Sequence, residues 1–263
     1  MSETVSVADV PAQTIDVAGT PVALRRRGEG RPLLFLHGAG FTGRWLRFHE
    51  ALAAGADVIA PEHPGFGATA DQEWLEGFDD LVLHYDDLRA ALGLDEPFDL
   101  VGYSLGGWIA AAYAVVYADR LRSLTLVVPA GLEPPVADPF GLLPEQLVAT
   151  MFNDLANVGE VMVDPEDLDV AVHIYEEAST LARLVWNPRY DRKLERRLRR
   201  VACPALVVGA EHDRFAGDEQ AERYAALLPA GRLERVPGTG HALVIEQPER
   251  TARVILDFIG GLA

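Results

Sequence analysis

The stretch Phe98-Asp99-Leu100-Val101-Gly102-Tyr103-Ser104-Leu105-Gly106 decides how the rest of this chain is read. Its first half is an apolar strand-like run, and the residues from Gly107 to Tyr117 have the texture of a helix. Ser104 therefore stands at a strand-to-helix corner, where the backbone turns sharply and the side chain is pushed out above the end of the strand. The two flanking glycines suit such a corner, because the turn brings the chain too close to its neighbours for a Cβ. A serine held this way is a nucleophile elbow. Since Gly-x-Ser-x-Gly also occurs by chance in glycine-containing loops, the weight falls on what else the chain supplies.

A serine hydroxyl is a poor nucleophile until a base takes its proton, and the base works better when a carboxylate orients it. Both follow Ser104 in the sequence. Asp213 closes Gly209-Ala210-Glu211-His212-Asp213, after the apolar run Ala205 to Val208. His241 lies in Gly238-Thr239-Gly240-His241, after the short run Leu233 to Val236. Glu211 and Asp218 compete with Asp213 for the acid, and His212 competes with His241 for the base. Adjacent side chains tend to point apart, which counts against a His212–Asp213 pair. Developing charge on an attacked carbonyl oxygen also needs N–H donors. The backbone N–H of Leu105 is one candidate, and that of Ala39, in His37-Gly38-Ala39-Gly40-Phe41, is the other.

Working outward, short apolar runs alternate with helical ones. Thr14 to Val17, Val22 to Arg26, Leu33 to Leu36 and Val58 to Ala60 read as strands. Phe98 to Val101, Leu124 to Val128, Ala205 to Val208 and Leu233 to Val236 complete the set. Phe78 to Leu92 and Pro248 to Ile259 have helical spacing. This alternation predicts an α/β fold with a mostly parallel sheet between helices. Between Ala130 and Arg200 the texture changes to helix alone, over Leu142 to Asn153, Asp167 to Val185 and Leu194 to Arg200. Pro134, Pro135, Pro139 and Pro144 mark the entry to this stretch. The expected organisation is a core of residues 1–130 and 201–263, with residues 131–200 inserted as a helical cap.

Composition narrows the function classes. A net charge of −17 would repel polyphosphates and anionic lipid, so neither nucleic acid nor membrane is expected as a partner. Cys203 is the one cysteine, which rules out an intrachain disulfide and a cysteine metal cluster. The other histidines, His49, His63, His84 and His173, lack metal-ligand spacing, and no metal site is expected. Met1 to Pro11 carries Glu3 and Asp9, without a basic or an apolar stretch, so it does not read as a secretion signal. A cytoplasmic protein is the expectation. Gly38-Ala39-Gly40-Phe41-Thr42-Gly43 matches the dinucleotide fingerprint, but no acidic ribose partner follows a second strand, and the same loop is needed for the oxyanion donor.

Together, His37-Gly38-Ala39-Gly40, Pro64-Gly65-Phe66-Gly67, Gly102 to Gly107, Gly209 to Asp213 and Gly240-His241 make the chain resemble the α/β-hydrolase superfamily, in the single-domain branch with a helical cap between strands six and seven. The resemblance runs in the family's order from Pro21 to Phe258. It implies a mostly parallel eight-stranded sheet, and acyl transfer to water through an acyl-serine with no metal or organic cofactor. It also assigns Ser104 as nucleophile, His241 as base and Asp213 as its orienter. The expected substrate is a small to medium hydrophobic carboxylic ester or lactone. Phe41, Trp45, Phe140, Phe152 and Trp186 are the candidate pocket lining, while Trp108 is expected in the core. Carbon–carbon hydrolases of ring-cleavage diketones share the layout, but usually carry Gly-Pro-Gly after the oxyanion residue and Trp after the catalytic histidine. This chain has Gly40-Phe41-Thr42 and Ala242 there. Cofactor-free perhydrolases share the triad, and a ligand-binding protein retaining the fold is the non-enzyme alternative. Serine at position 104 disfavours the dehalogenases and epoxide hydrolases, which use aspartate.

Overall fold

The structure, a computed structural model, describes residues 10–134, 136–160 and 168–262. The acidic start before Val10, Pro135 of the proline cluster and Asp167 lie outside the described residues. In chain order, β1 (Gln13–Val17) and β2 (Thr20–Arg27) form a hairpin, followed by β3 (Pro32–Leu36), α1 (Arg47–Ala53) and β4 (Asp57–Pro61). Then come α2 (Phe78–Ala91), β5 (Phe98–Tyr103), α3 (Leu105–Tyr117) and β6 (Leu121–Val127). The segment after β6 holds α4 (Pro144–Met151), α5 (Leu168–Val185) and α6 (Leu194–Leu198), with a 3₁₀ turn at Leu155–Glu160. The chain closes with β7 (Ala205–Ala210), α7 (Asp218–Leu227), β8 (Gly231–Val236), α8 (Leu243–Glu246) and α9 (Pro248–Gly260).

The eight strands lie in the order β1-β2-β4-β3-β5-β6-β7-β8. The β1/β2 and β2/β4 pairs are antiparallel and every other pair is parallel. Alternation along the central strands explains why they read as unbroken apolar runs: both faces are buried. Leu34, Leu36, Leu100, Leu124 and Val207 face one core with α2, α3 and α7. Leu33, Phe35, Val101, Val127 and Val208 face the other, with α1, α8 and α9. The order β4-β3-β5 reverses the direction of winding, and loops diverge at the carboxyl ends of the strands, leaving room for a site there.

The corner at Ser104 is sterically demanding. Ser104 has φ 53° and ψ −110°, a region that costs an L-residue energy unless its surroundings impose it. The surroundings do so here. Its N–H donates to the Val127 carbonyl at 2.9 Å, and its own carbonyl accepts from Trp108 and Ala130. A Cβ on Gly106 would collide with the Leu36 carbonyl, and one on Gly102 with the carbonyl of Gly106. Helix α3 is thus pressed against the sheet at its first turn, which sets where Ser104 projects.

Helices α1, α7 and α8 have no counterpart in the sequence reading. They are seven, ten and four residues long, and too short for their periodicity to stand out from flanking loops.

Candidate active site

The structure brings three loop residues from distant parts of the chain into one hydrogen-bonded line. Ser104 follows β5, Asp213 follows β7 and His241 follows β8, all at carboxyl ends of parallel strands. His241 Nε2 lies 2.8 Å from Ser104 Oγ, and His241 Nδ1 lies 2.9 Å from Asp213 Oδ2. The second oxygen of Asp213 accepts the N–H groups of Phe215 at 2.9 Å and Ala216 at 2.8 Å. Burial pushes the Asp213 carboxyl up, but the facing His241, its hydrogen bond and these two N–H groups together hold it below the usual carboxylate range. Asp213 therefore stays ionised, and as an acceptor it fixes an imidazole N–H on His241 Nδ1, which turns Nε2 toward Ser104 Oγ.

The supports of this line were not legible beforehand. Tyr103 donates its hydroxyl to the His241 carbonyl at 3.0 Å. Glu246 accepts the Gly240 N–H at 2.6 Å, and its other oxygen takes the N–H groups of Asn153 and Asp154. The histidine loop is thus tied both to the elbow strand and to the segment after α4. Tyr103 sits inside the Gly102–Gly106 motif, yet nothing in its spacing says where the hydroxyl goes. The rival acids and base are engaged elsewhere: Glu211 accepts from Gly238 N–H, Asp218 pairs with Arg235, and His212 stands half-exposed beside Glu211.

Ala39 and Leu105 both line the cavity into which Ser104 opens. The Ala39 loop is held from below by stacked rings. His37 and His63 lie 3.7 Å apart at the centroids. The His63 N–H donates to His37 Nε2 at 3.0 Å, so the His37 proton sits on Nδ1 and reaches the Gly38 carbonyl at 2.9 Å. His63 Nε2 donates in turn to the His37 carbonyl, and its Nδ1 takes the Tyr85 hydroxyl. Burial pushes the His37 imidazolium down to about 4 and that of His63 well below its ordinary value, so both rings are neutral. His37 is a scaffold for the loop.

The cavity measures about 270 Å³ and is lined mainly by apolar side chains, among them Trp108, Phe140, Met151, Leu181 and Phe215, with Glu177 and Arg189 as the charged exceptions. Of the five aromatic residues expected there, Phe140 alone is in the wall. Phe41 packs on Tyr103 in the core and Trp45 lies against His49, its indole N–H bonded to Glu50. Phe152 is buried in the same cluster, and Trp186 is 62% exposed, resting on Phe140 from outside. Trp108, expected in the core, is buried and also forms wall. Phe66 from the loop after β4, and Leu147 and Val185 from the helical segment between β6 and β7, add to the wall; helical spacing in that segment does not tell wall from packing.

Residues 33–254 match the model of the alpha/beta hydrolase family. The chain belongs to this family. Among curated proteins it is 25% identical to 2-hydroxy-6-oxo-6-(2'-aminophenyl)hexa-2,4-dienoic acid hydrolase of Metapseudomonas resinovorans, over 93% of this chain and 89% of that one. It is 24% identical to monoacylglycerol lipase ABHD6 of Mus musculus, over 90% of this chain and 78% of that one. Among solved structures it superposes on the meta-cleavage product hydrolase CumD of Pseudomonas fluorescens IP01 with a TM-score of 0.79 at 23% identity, covering 95% and 98% of the two chains. These members are hydrolases with different substrates in their names. Among the described residues, no helix is long and apolar enough to cross a membrane, and no cluster of three His, Cys, Asp or Glu side chains is placed to hold a metal ion.

Proposed function

We propose that this chain is a serine hydrolase that cleaves a small to medium carboxylic ester or lactone with an apolar acyl part. The observation that carries the reading is the Ser104–His241–Asp213 line opening into an apolar cavity. In this mechanism His241 Nε2 takes the Ser104 proton as Oγ attacks the carbonyl carbon. The oxyanion that forms is held by the N–H groups of Ala39 and Leu105, and Asp213 stabilises the imidazolium. His241 then passes the proton to the leaving alcohol. The cycle repeats with water as nucleophile and the acyl group leaving as a carboxylic acid, with no cofactor taking part. The helical segment 131–200 acts as the cap over the acyl group. The partner in this reading is a small hydrophobic ester met in the cytoplasm, with neither nucleic acid nor membrane engaged.

A second reading, hydrolysis of a ring-cleavage diketone acid, draws support from the names of the Metapseudomonas relative and of CumD. Perhydrolysis and a pure binding role rest on the fold alone.

Labelling with a fluorophosphonate, on wild type and Ser104→Ala, combined with a p-nitrophenyl ester chain-length series, tests the proposal. One label per chain, lost in the variant together with turnover, is the expected result. A folded wild type that neither labels nor turns over any ester would overturn it. Turnover of a dienoate diketone in preference to every ester would transfer the assignment to the second reading.

A further inference from the structure

The cavity wall holds a polar group that the proposed reaction leaves unused. Trp108 lies one turn of α3 beyond Ser104, and its backbone N–H donates to the Ser104 carbonyl at 3.1 Å. One turn sets it about 6 Å along the helix axis from the serine. Trp108 is 4% exposed and lines the cavity. Two neighbours fix its ring. Phe78 stacks on it, with centroids 4.0 Å apart and planes 19° from parallel. Gly131, at φ 109°, lies so close that a Cβ there would stand 2.5 Å from the ring.

The indole Nε1–H is buried and has no hydrogen-bond partner among the described residues. An indole N–H can only donate, and a buried tryptophan ordinarily finds an acceptor for it. Packing does not call for the group, since phenylalanine would stack on Phe78 and leave no donor unpaired. A second donor of this kind stands in the same wall. Arg189 Nε is buried without a partner, and the adjoining Tyr190 bridges to Gly131, the residue against the Trp108 ring. The wall's other polar side chains are engaged: Ser104 with His241, and Glu177 with the Gly67 N–H. The wall thus offers unmatched donors, but no unmatched positive charge. Asp138 pairs with the Arg189 guanidinium at 3.0 Å, and Glu177 sets a carboxylate in the same cavity. An occupant that completes this wall brings an acceptor oxygen without a negative charge.

We propose that Trp108 is a specificity-determining donor, whose indole N–H takes a neutral acceptor oxygen carried by the acyl chain a few bonds from the scissile carbonyl. A keto oxygen is the simplest such group, and it narrows the substrate class from a plain apolar ester to an oxo-acyl ester or lactone. The kinetic consequence rests on the acyl-transfer reading, and the contact itself does not. Giving a buried, unpaired donor its acceptor is worth about tenfold.

Two measurements on the full chain test this. The first compares p-nitrophenyl esters of levulinic acid, a γ-keto acid, and of the δ-keto acid one carbon longer with those of pentanoic and hexanoic acids. It is run on wild type and Trp108→Phe. The readout is the ratio of kcat/KM for each oxo ester to that of its plain partner, so a general loss of rate in the variant cancels. Wild type should prefer the better oxo ester by about tenfold, and Trp108→Phe should shrink that preference to within about twofold. No preference in wild type, or an unchanged ratio in the variant, would overturn the proposal. So would faster turnover of the half-ester of hexanedioic acid than of either oxo ester, because the charge of Arg189 would then be what is recognised.

The second measurement needs no turnover. Ser104→Ala with isotope-labelled indole nitrogens is titrated with the methyl esters of the same four acids, and the resonance that a further Trp108→Phe change removes belongs to Trp108. An oxo ester should move that N–H signal downfield, and by more than its plain partner does. A signal that neither oxo ester moves, or that a plain ester moves as far, would overturn the contact. If wild type hydrolysed no ester at all, the acyl-transfer reading would fall, and this shift alone would decide the role of the donor.

Discussion

The elbow and the cap are built on opposite terms. At the elbow the polar atoms are committed: Ser104 and His241 are buried, the Asp213 side chain is 2% exposed, Val127 and Ala130 hold the Ser104 backbone, and the N–H groups of Phe215 and Ala216 hold the Asp213 carboxylate. In the segment between β6 and β7, α5 turns Val172 and Tyr175 to solvent, and it meets the rest of the chain through the apolar Leu181, Leu184 and Val185 and the polar Glu177, Thr180 and Arg183. Under the proposed reading, chemistry and selectivity are carried by parts with different tolerance. The elbow has one geometry that works. A cap can change its wall residues and leave the reaction intact.

The most severe way to test that contrast is to disturb the elbow without changing its shape. Asp213→Asn should lower kcat by about 10⁴ with little change in KM, because the imidazole loses the charge that fixes its tautomer. Steady-state kinetics on the best ester checks it. An effect below about tenfold would mean that Asp213 is not the orienter. Next comes Gly106→Ala, whose methyl would meet the Leu36 carbonyl. It should destabilise the fold by about 4 kcal/mol or more, read by urea unfolding.

Acid should act on the buried histidines before it reaches the Asp213 carboxylate. Burial holds His37 at about 4 against an ordinary 6.5, and His49 and His84 are likewise pushed down, to about 3 and about 4. Below pH 6.5 the unfolded chain binds protons that the folded chain refuses, so stability should fall as pH drops from about 6.5 toward 4. His37 alone contributes about 3 kcal/mol to that fall. Asp213 acts in the same sense in a lower window: its contribution is present above the ordinary carboxylate value and is lost as the solution falls through its depressed folded value. Thermal melts across this window check the prediction, and a flat Tm would refute it.

The smallest effects belong to the cap. Phe140→Ala enlarges the cavity wall and should shift the preferred ester toward a longer or bulkier acyl group, with a change of about tenfold in relative kcat/KM. Trp186→Ala, outside the wall and mostly exposed, should leave stability within about 0.5 kcal/mol and the preference unchanged. If the two variants behaved alike, the cap would not be dividing wall from surface as its exposure indicates.

Much of the frame could be read from residues alone. Unbroken apolar runs are what a sheet buried on both faces requires, and all eight strands stand within a few residues of where those runs fall. The wall was less accessible. Phe41, Trp45 and Phe152 are aromatic residues near the right loops, but aromatic side chains fill cores as readily as they line cavities, and here they fill a core. Trp108 lies in the core as expected, and its side chain also lines the cavity.

The sequence by itself determined the α/β alternation, the strained corner at Ser104 and the candidate acid and base, because each follows from local constraint: periodicity, a missing Cβ, a position just after a strand. Only the tertiary structure decided that Tyr103 steadies the His241 loop, that His37 and His63 stack beneath the Ala39 loop, and that Glu177 on α5 reaches the Gly67 N–H. Those contacts join residues tens to more than a hundred positions apart. Their directions depend on how the sheet twists and how α5 lies across it, and local spacing carries no record of either.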